Sequence, residues 1–388
     1  MKLSKLRVPL IPVRSPQAAT PSHSRPGDRR PDPPEGGDRL FCSKPFTWFE
    51  VSRSTREGEV FTCCPSWLDT PIGNLDEQSV ADVWNSQAAQ DIRRSILDGT
   101  FDYCNADRCP HLQTLTEPVQ RVSDVTDPVM QQIIRDRVVA LPFGPRAVNC
   151  SHDRSCNLSC PSCRTELIIE TDRRDQISRI QRRINDEALR DAELLYITGS
   201  GDPFGSPFFR HWLRTMRRAD MPKLQTLHLH TNGLLWTPGM WESIPAEIRG
   251  LVRYADISID AATEGTYAIN RRGGRWDVLM ENLRFISSLR RNGPLTWLGI
   301  SFVVQENNFR EMRAFVELGR HFDVDTIHFS QLVNWETYSP GEYQRRAVHH
   351  PGHAAHDEFL SLLADPIFDD PIVFMSNLTQ LRAAPTSG

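Results

Sequence analysis

The chain has 388 residues, a formal net charge of −4, and 24% charged residues with both signs interspersed. That length holds one large domain and a smaller one, and the mixed charge excludes the basic face of a dedicated nucleic-acid binder. No apolar run approaches the ~18 residues of a membrane span, and the opening MKLSKLRVPLIPVRS, broken by two prolines, makes a poor signal peptide.

Residues 1–40, rich in Pro, Arg, Gly, Ser and Asp, bury too little apolar surface to offset their ordering entropy and are expected to be disordered. Residues 41–112 read as a small cysteine-rich α+β module. Two short strands, FTWFEVS and GEVFTCC, are joined by RSTRE. A helix follows over SVADVWNSQAAQDIRRSILDG, its apolar positions at Val80, Val83, Trp84, Ile92 and Ile96 and its end at Gly99. Residues 113–145 are a linker, helical around VMQQIIRDRVVAL. From 146 to 335 the strand candidates RAVNCS, AELLYITGS, LQTLHLHTN, YADISID, TWLGISFVV and DTIHFSQLV alternate with helical stretches. Six βα units in series imply an α/β fold with a parallel sheet, open or curled into a partial barrel. Residues 336–388 add a helix, AAHDEFLSLLADPI, and a tail.

The cytoplasm is the expected compartment, where cysteines stay reduced, so the nine in this chain read as metal ligands before disulfides. Three of them, in CNLSCPSCR, follow the first strand of the βα series as Cys156, Cys160 and Cys163. The intervening Asn157, Ser159, Pro161 and Ser162 suit a tight loop. Structural zinc wants four ligands; three cysteines suit a 4Fe–4S cluster with one iron left open.

The C-x3-C-x2-C spacing, with Asn157, Leu158 and Pro161 between the cysteines, resembles the radical SAM superfamily over residues 146–335. The resemblance implies a partial (β/α)6 TIM-like barrel in which the open iron binds S-adenosylmethionine. It implies reductive cleavage to a 5′-deoxyadenosyl radical that takes a hydrogen atom from the substrate. YITGSGDPF then corresponds to a cofactor turn made by Gly199, Ser200, Gly201 and Asp202, where Asp202 replaces the family's usual Glu. Asn232, Ser258, Asp260 and Gln305, near the ends of later strands, are the implied remaining contacts. A reducing partner such as flavodoxin or ferredoxin is implied too.

The other clustered cysteines are Cys42, Cys63, Cys64, Cys104 and Cys109, in a C-x15-G-x4-C pattern closed by CNADRC. With IGNL…VWNS between, they resemble the SPASM and twitch auxiliary-cluster modules of radical SAM enzymes. Here the module precedes the barrel, and the seven cysteines of a full SPASM module are absent. Cys42, Cys63, Cys104 and Cys109 suffice for one auxiliary 4Fe–4S cluster, with Cys64 as the alternative to Cys63; zinc takes the same four-cysteine set. Cys150, on the first strand, reads either as a buried small residue or as a hydrogen-donating thiol.

Weaker features are His349, His350, His353 and His356, read as a metal face or a solvated helix start, and His228 and His230 on one side of a strand. Arg271, Arg272 and the following GG resemble the R-x-G region of peptide-modifying SPASM enzymes. Two substrate classes are expected. One is a ribosomally made peptide, oxidised with the auxiliary cluster as electron acceptor. The other is a small natural-product intermediate such as an amino sugar or aminocyclitol, dehydrogenated or epimerised. Neither nucleic acid nor membrane is expected as a partner.

Overall fold

The computed structural model describes residues 38–53, 57–197 and 200–383. Residues 1–37, most of the segment expected to be disordered, lie outside that range, as does Gly199. The chain divides into two compact units, the first ending at His152 and regaining Gln176–Ala192, the second made of Asp153–Asp175 and the residues from Glu193 onward.

The first unit contains strands β1 (Leu40–Cys42), β2 (Trp48–Arg53), β3 (Glu57–Phe61), β4 (Gly73–Asn74), β5 (Val119–Arg121) and β6 (Ala147–Cys150). β2 and β3 form the expected hairpin, and β6 lies parallel to β2 on its other side. β1 pairs with β5 as a separate antiparallel ladder that carries Cys42 at its end. Phe46, Phe49, Val51, Val60 and Phe61 are fully buried, and each such side chain contributes about 1.5–3 kcal/mol by leaving water.

The helix expected over 79–99 is two helices, Val80–Trp84 and Gln87–Asp98. Asn85 interrupts it: its carboxamide takes the Leu141 N–H at 2.8 Å and donates to the Leu141 carbonyl at 2.9 Å. Ser86 then caps the second helix by accepting from the Ala89 N–H, and Gly99, at φ 78°, ends it.

The second unit contains β7 (Leu194–Ile197), β8 (Thr226–Thr231), β9 (Val252–Ser258), β10 (Trp297–Val304), β11 (Thr326–Gln331) and β12 (Val373–Phe374). They lie side by side in chain order and every pairing is parallel. The α/β class with a parallel sheet is therefore borne out. β12 is an addition, too short to show a period in the sequence.

The two faces of this sheet differ in chemistry, as a period of two demands. Leu227, Leu229, Ala255, Ile257, Leu298, Ile300, Phe302, Ile327 and Phe329 are all buried. Phe315, on the helix Met312–His321, reaches Phe302 at 4.8 Å and Phe329 at 5.8 Å between ring centroids, so helices cover that face. The alternate positions carry Tyr196, His228, His230, Asp256, Ser258, Ser301 and His328, a polar face.

Candidate metal centres and cofactor pocket

In the second unit the loop 156–163 is held by backbone bonds at both ends. Cys156 N–H donates to the Ile168 carbonyl at 3.0 Å, Ser159 N–H to the Arg272 carbonyl at 3.1 Å, and Cys163 N–H to the Cys160 carbonyl at 2.9 Å. Cys156 and Cys160 are buried and Cys163 is half-buried. Each sulfur meets one polar side chain. Asn232 Nδ2 lies 3.7 Å from Cys156 Sγ, Arg271 Nη1 lies 3.8 Å from Cys160 Sγ, and Arg164 Nη2 lies 3.6 Å from Cys163 Sγ.

Two glycines let the turn after β7 lie against this loop. A Cβ on Gly201 would stand 2.4 Å from the Asp153 carbonyl oxygen and 2.6 Å from that of Ser155. One on Gly205 would stand 2.6 Å from Asn157 Oδ1. Because the first obstruction is backbone, Gly201→Ala is expected to cost about 1–3 kcal/mol through overpacking. Thermal unfolding should show the loss, together with reduced iron retention at the three cysteines; an alanine variant with wild-type stability and iron content would contradict it.

Asp202 is engaged inside the protein. Its Oδ1 accepts from the Phe204 and Gly205 N–H groups at 2.9 and 2.8 Å, and its Oδ2 from Thr231 Oγ1 at 2.7 Å and the Asn232 N–H at 2.8 Å. It thus fastens the turn after β7 to the end of β8 and sets Asn232 beside Cys156. Asp260, at φ 59° after β9, pairs with the buried Arg271 at 2.8 Å and accepts from the Val303 N–H at 2.7 Å. Burial opposes the Arg271 charge, but Asp260 and Cys160 outweigh it and hold the guanidinium charged.

Burial pushes the Cys156 thiol up to about 12, Asp202 adds to the rise and Arg164 opposes it. Burial raises Cys160 as well, against Arg271. Binding a cluster requires thiolates, and the two arginines are the cations present to stabilise them. Ser200 accepts from Arg164 through its carbonyl. Ser258 Oγ lies 2.8 Å from His230 Nε2 and 3.2 Å from Ser301 Oγ, on the polar face of the sheet. Gln305 is buried after β10 and its Oε1 has no partner among the described residues. An orphaned acceptor of that kind, with the open-iron donor set, fits S-adenosylmethionine.

In the first unit Cys42, Cys63, Cys104 and Cys109 line one cavity, together with Trp67 and His111. The CNADRC turn is shaped by Asn105, whose N–H donates to the Trp67 carbonyl at 2.8 Å and whose carbonyl accepts from the Cys109 N–H at 2.9 Å. The thiols lie in one another's fields: after burial, Cys42, Cys63 and Cys109 push Cys104 up, with Asp102 behind them. Cys64 is buried but does not line the cavity; after burial, the group that raises its thiol most is Glu50. Among the described residues no three His, Cys, Asp or Glu side chains close on the point of a single ion. A 4Fe–4S cluster takes its cysteines on separate irons, so the donors around this cavity fit one.

Arg164 was missed in the sequence, and the structure gives Arg271 and Arg272 a place that their sequence context did not show. Arg164 follows the third cysteine directly, and Arg271 is buried against Cys160. Arg272 braces the loop, its Nε 3.0 Å from Ser159 Oγ and its Nη2 2.9 Å from the Thr165 carbonyl. The two arginines thus serve the cysteine loop. Cys150 is fully buried on β6, and burial alone raises its thiol. His228 is a buried histidine bound to Asp256 at 2.8 Å. His353 has both ring nitrogens on backbone, at 2.8 Å to the Arg345 carbonyl and 3.0 Å from the Ala355 N–H, which leaves it no free nitrogen for a metal face.

Residues 42–110 match the SPASM family, an iron–sulfur cluster-binding domain. The auxiliary module read from the cysteine spacing is therefore shown. No curated protein matches the chain. Similar solved structures include Streptococcus suis SuiB bound to precursor peptide SuiA, 13% identical, covering 68% of this chain and 58% of that chain, with a TM-score of 0.36. Another is native anSMEcpe with bound AdoMet and Kp18Cys peptide, 15% identical, covering 57% and 59%, with a TM-score of 0.38. This chain spans 44% of the SuiB chain in a further structure, less than two thirds of its length in each.

Proposed function

We propose that this chain, whose residues 42–110 are a SPASM iron–sulfur cluster-binding domain, is a radical SAM oxidoreductase that modifies a peptide. Bound 4Fe–4S clusters would supply the electron that cleaves S-adenosylmethionine to a 5′-deoxyadenosyl radical and, at the auxiliary site, the acceptor for the electron left on the substrate. The observation that carries this reading is the three-cysteine loop with a polar side chain on each sulfur, Asn232, Arg271 and Arg164.

In this reading Cys156, Cys160 and Cys163 hold the first cluster, and Arg164 and Arg271 stabilise their thiolates. Asp202 and Asp260 act by positioning Asn232 and Arg271. The Ser200–Gly201 turn, Ser258 and Gln305 face the cofactor from strand ends, where parallel sheets bind ligands. The chain-order parallel sheet of the second unit supports reading residues 146–335 as a partial barrel, followed by helices and a tail at 336–388. A flavodoxin or ferredoxin would deliver the first electron.

The SPASM match favours a peptide substrate. The cavity lined by four cysteines, enough for one auxiliary cluster, favours the second reading, oxidation or epimerisation of a small natural-product intermediate. Anaerobically reconstituted protein given S-adenosylmethionine and dithionite should release 5′-deoxyadenosine; none would defeat the proposal. Solvent deuterium in a product with no net oxidation would assign epimerisation and remove the electron-acceptor role.

A further inference from the structure

Asp256 lies in the middle of β9, on the polar face of the second unit's sheet, and is 4% exposed. Its Oδ2 stands 2.8 Å from His228 Nε2 and 3.5 Å from the Tyr196 hydroxyl. Its Oδ1 accepts no hydrogen bond among the described residues, and a glycine keeps the space beside it clear. A Cβ on Gly299, the register partner of Asp256 on β10, would stand 2.6 Å from that oxygen. Burial opposes the charge on Asp256, but the bond from His228, with the imidazoles of His230 and His328 behind it, holds the carboxyl below its ordinary range. An ionised carboxylate only accepts, so His228 donates from Nε2. Its Nδ1 is buried without a partner among the described residues, so a second proton there would have no acceptor. Asp256 thus has a hydrogen bond but no permanent cation: no lysine or arginine occupies the positions that share its face from β8 to β11.

The surroundings select the kind of cation. Toward the strand starts, Tyr196, His228, Tyr254 and Trp297 are register partners on four adjacent strands, with successive ring centroids 4.0, 5.7 and 5.9 Å apart. Toward the strand ends, the Ser258 and Ser301 hydroxyls are 3.2 Å apart. His328, the register partner of Ser301, has its Nε2 buried without a partner among the described residues. Tyr254, Trp297, Ser258 and Ser301 are half-buried, so packing does not close this face as it closes the apolar one. Among the described residues no three His, Cys, Asp or Glu side chains gather at one point, so the donors do not suit a metal ion. Aromatic faces attract ammonium groups, and hydroxyl and imidazole groups hydrogen-bond to polar neighbours of such a group.

We infer that Asp256 is the anion of a substrate site on this face, binding a primary ammonium group whose neighbouring hydroxyl or amide groups meet Ser258, Ser301 and His328. The inference rests on reading this chain as a radical SAM enzyme and names the part of the substrate that the second unit holds. A lysyl side chain of a peptide carries such a group, and so does an amino sugar or aminocyclitol. His228 and Gly299 are positioning residues: one fixes Oδ2 and the other leaves Oδ1 uncovered.

The test is thermal unfolding of the full-length, anaerobically reconstituted chain with paired compounds that differ in the ammonium group. The pairs are glucosamine and glucose, streptamine and scyllo-inositol, and acetylated, amidated glycyl-lysyl-glycine and its norleucine counterpart. A compound that binds the folded chain raises the melting temperature. In at least one pair the ammonium member should raise it at about a tenth of the concentration its neutral counterpart needs. Asp256→Asn, which keeps an acceptor for His228, should abolish that difference. A difference in the peptide pair alone supports the inference with a peptide source, and one in the other pairs alone supports it with a small-molecule source. Equal rises within every pair, no rise with any compound, or a difference that survives in Asp256→Asn each overturns it. Should Asp256→Asn fail to fold, Gly299→Ala, whose methyl group would crowd Oδ1, decides, and an undiminished difference there overturns it. Release of 5′-deoxyadenosine is followed on the same preparation. If it forms and no ammonium preference is seen, the inference alone fails; if it does not form, the radical SAM reading fails and the inference with it.

Discussion

Replacing Cys156, Cys160 and Cys163 together by alanine is expected to remove about half of the roughly eight irons per chain and to abolish 5′-deoxyadenosine formation. The loop itself should persist, because its anchors are backbone bonds from Cys156, Ser159 and Cys163 N–H groups, which alanine retains. Arg164 and Arg271 keep partners after the change: Arg164 donates to the Arg154 carbonyl at 2.8 Å and Arg271 pairs with Asp260 at 2.8 Å. The loss should therefore be chemical, with the fold retained. Iron and sulfide counting, with product analysis after addition of S-adenosylmethionine and reductant, reads both quantities. Eight irons surviving in the triple variant would show that the loop holds none of them.

Cys63→Ala and Cys64→Ala, adjacent in the chain, are expected to part company. Cys63 lines the cavity with Cys42, Cys104 and Cys109, so its loss leaves one iron of the auxiliary cluster without a protein ligand and should lower the iron content, by up to about half of the total. Cleavage of S-adenosylmethionine in the absence of substrate should continue, because the other cluster is untouched, while oxidation of substrate should stop. Cys64→Ala removes a buried thiol that does not line the cavity and should cost ~1 kcal/mol in stability without loss of iron. The reverse pattern, iron lost from Cys64→Ala alone, would assign the ligand to Cys64.

The neighbouring pair also shows where sequence reading stops. Spacing places Cys63 and Cys64 equally well against Cys42 and the CNADRC turn. Both follow β3, which ends at Phe61, in backbone outside any strand, and which of them faces the cavity depends on β1, β5 and the Cys104–Cys109 turn being assembled around it. A local pattern has no access to that choice. The same holds for Arg271, which in sequence resembled part of the R-x-G region of peptide-modifying SPASM enzymes and in the structure is buried against Cys160 and Asp260. Its partners lie 111 residues away in one case, and no periodicity spans such a distance.

The strands and most helices were legible for a different reason. Apolar alternation in LQTLHLHTN, YADISID and TWLGISFVV expresses a sheet covered by helices on one face and polar on the other, and that contrast is written residue by residue. Where a side chain overrode the pattern, as Asn85 did by binding Leu141, the expected helix broke in two.

By itself, then, the sequence determined the α/β class, the parallel series and the grouping of the cysteines into two sets, because period and spacing are local properties of the chain. The tertiary structure alone decided three matters: Cys63 over Cys64 at the cavity, the internal engagement of Asp202, and the placing of Trp67, Arg164 and Arg271 on the cysteine sulfurs. Each of these depends on groups from separate elements meeting in a buried space, where an unpaired charge or an extra methyl group is too unfavourable to tolerate.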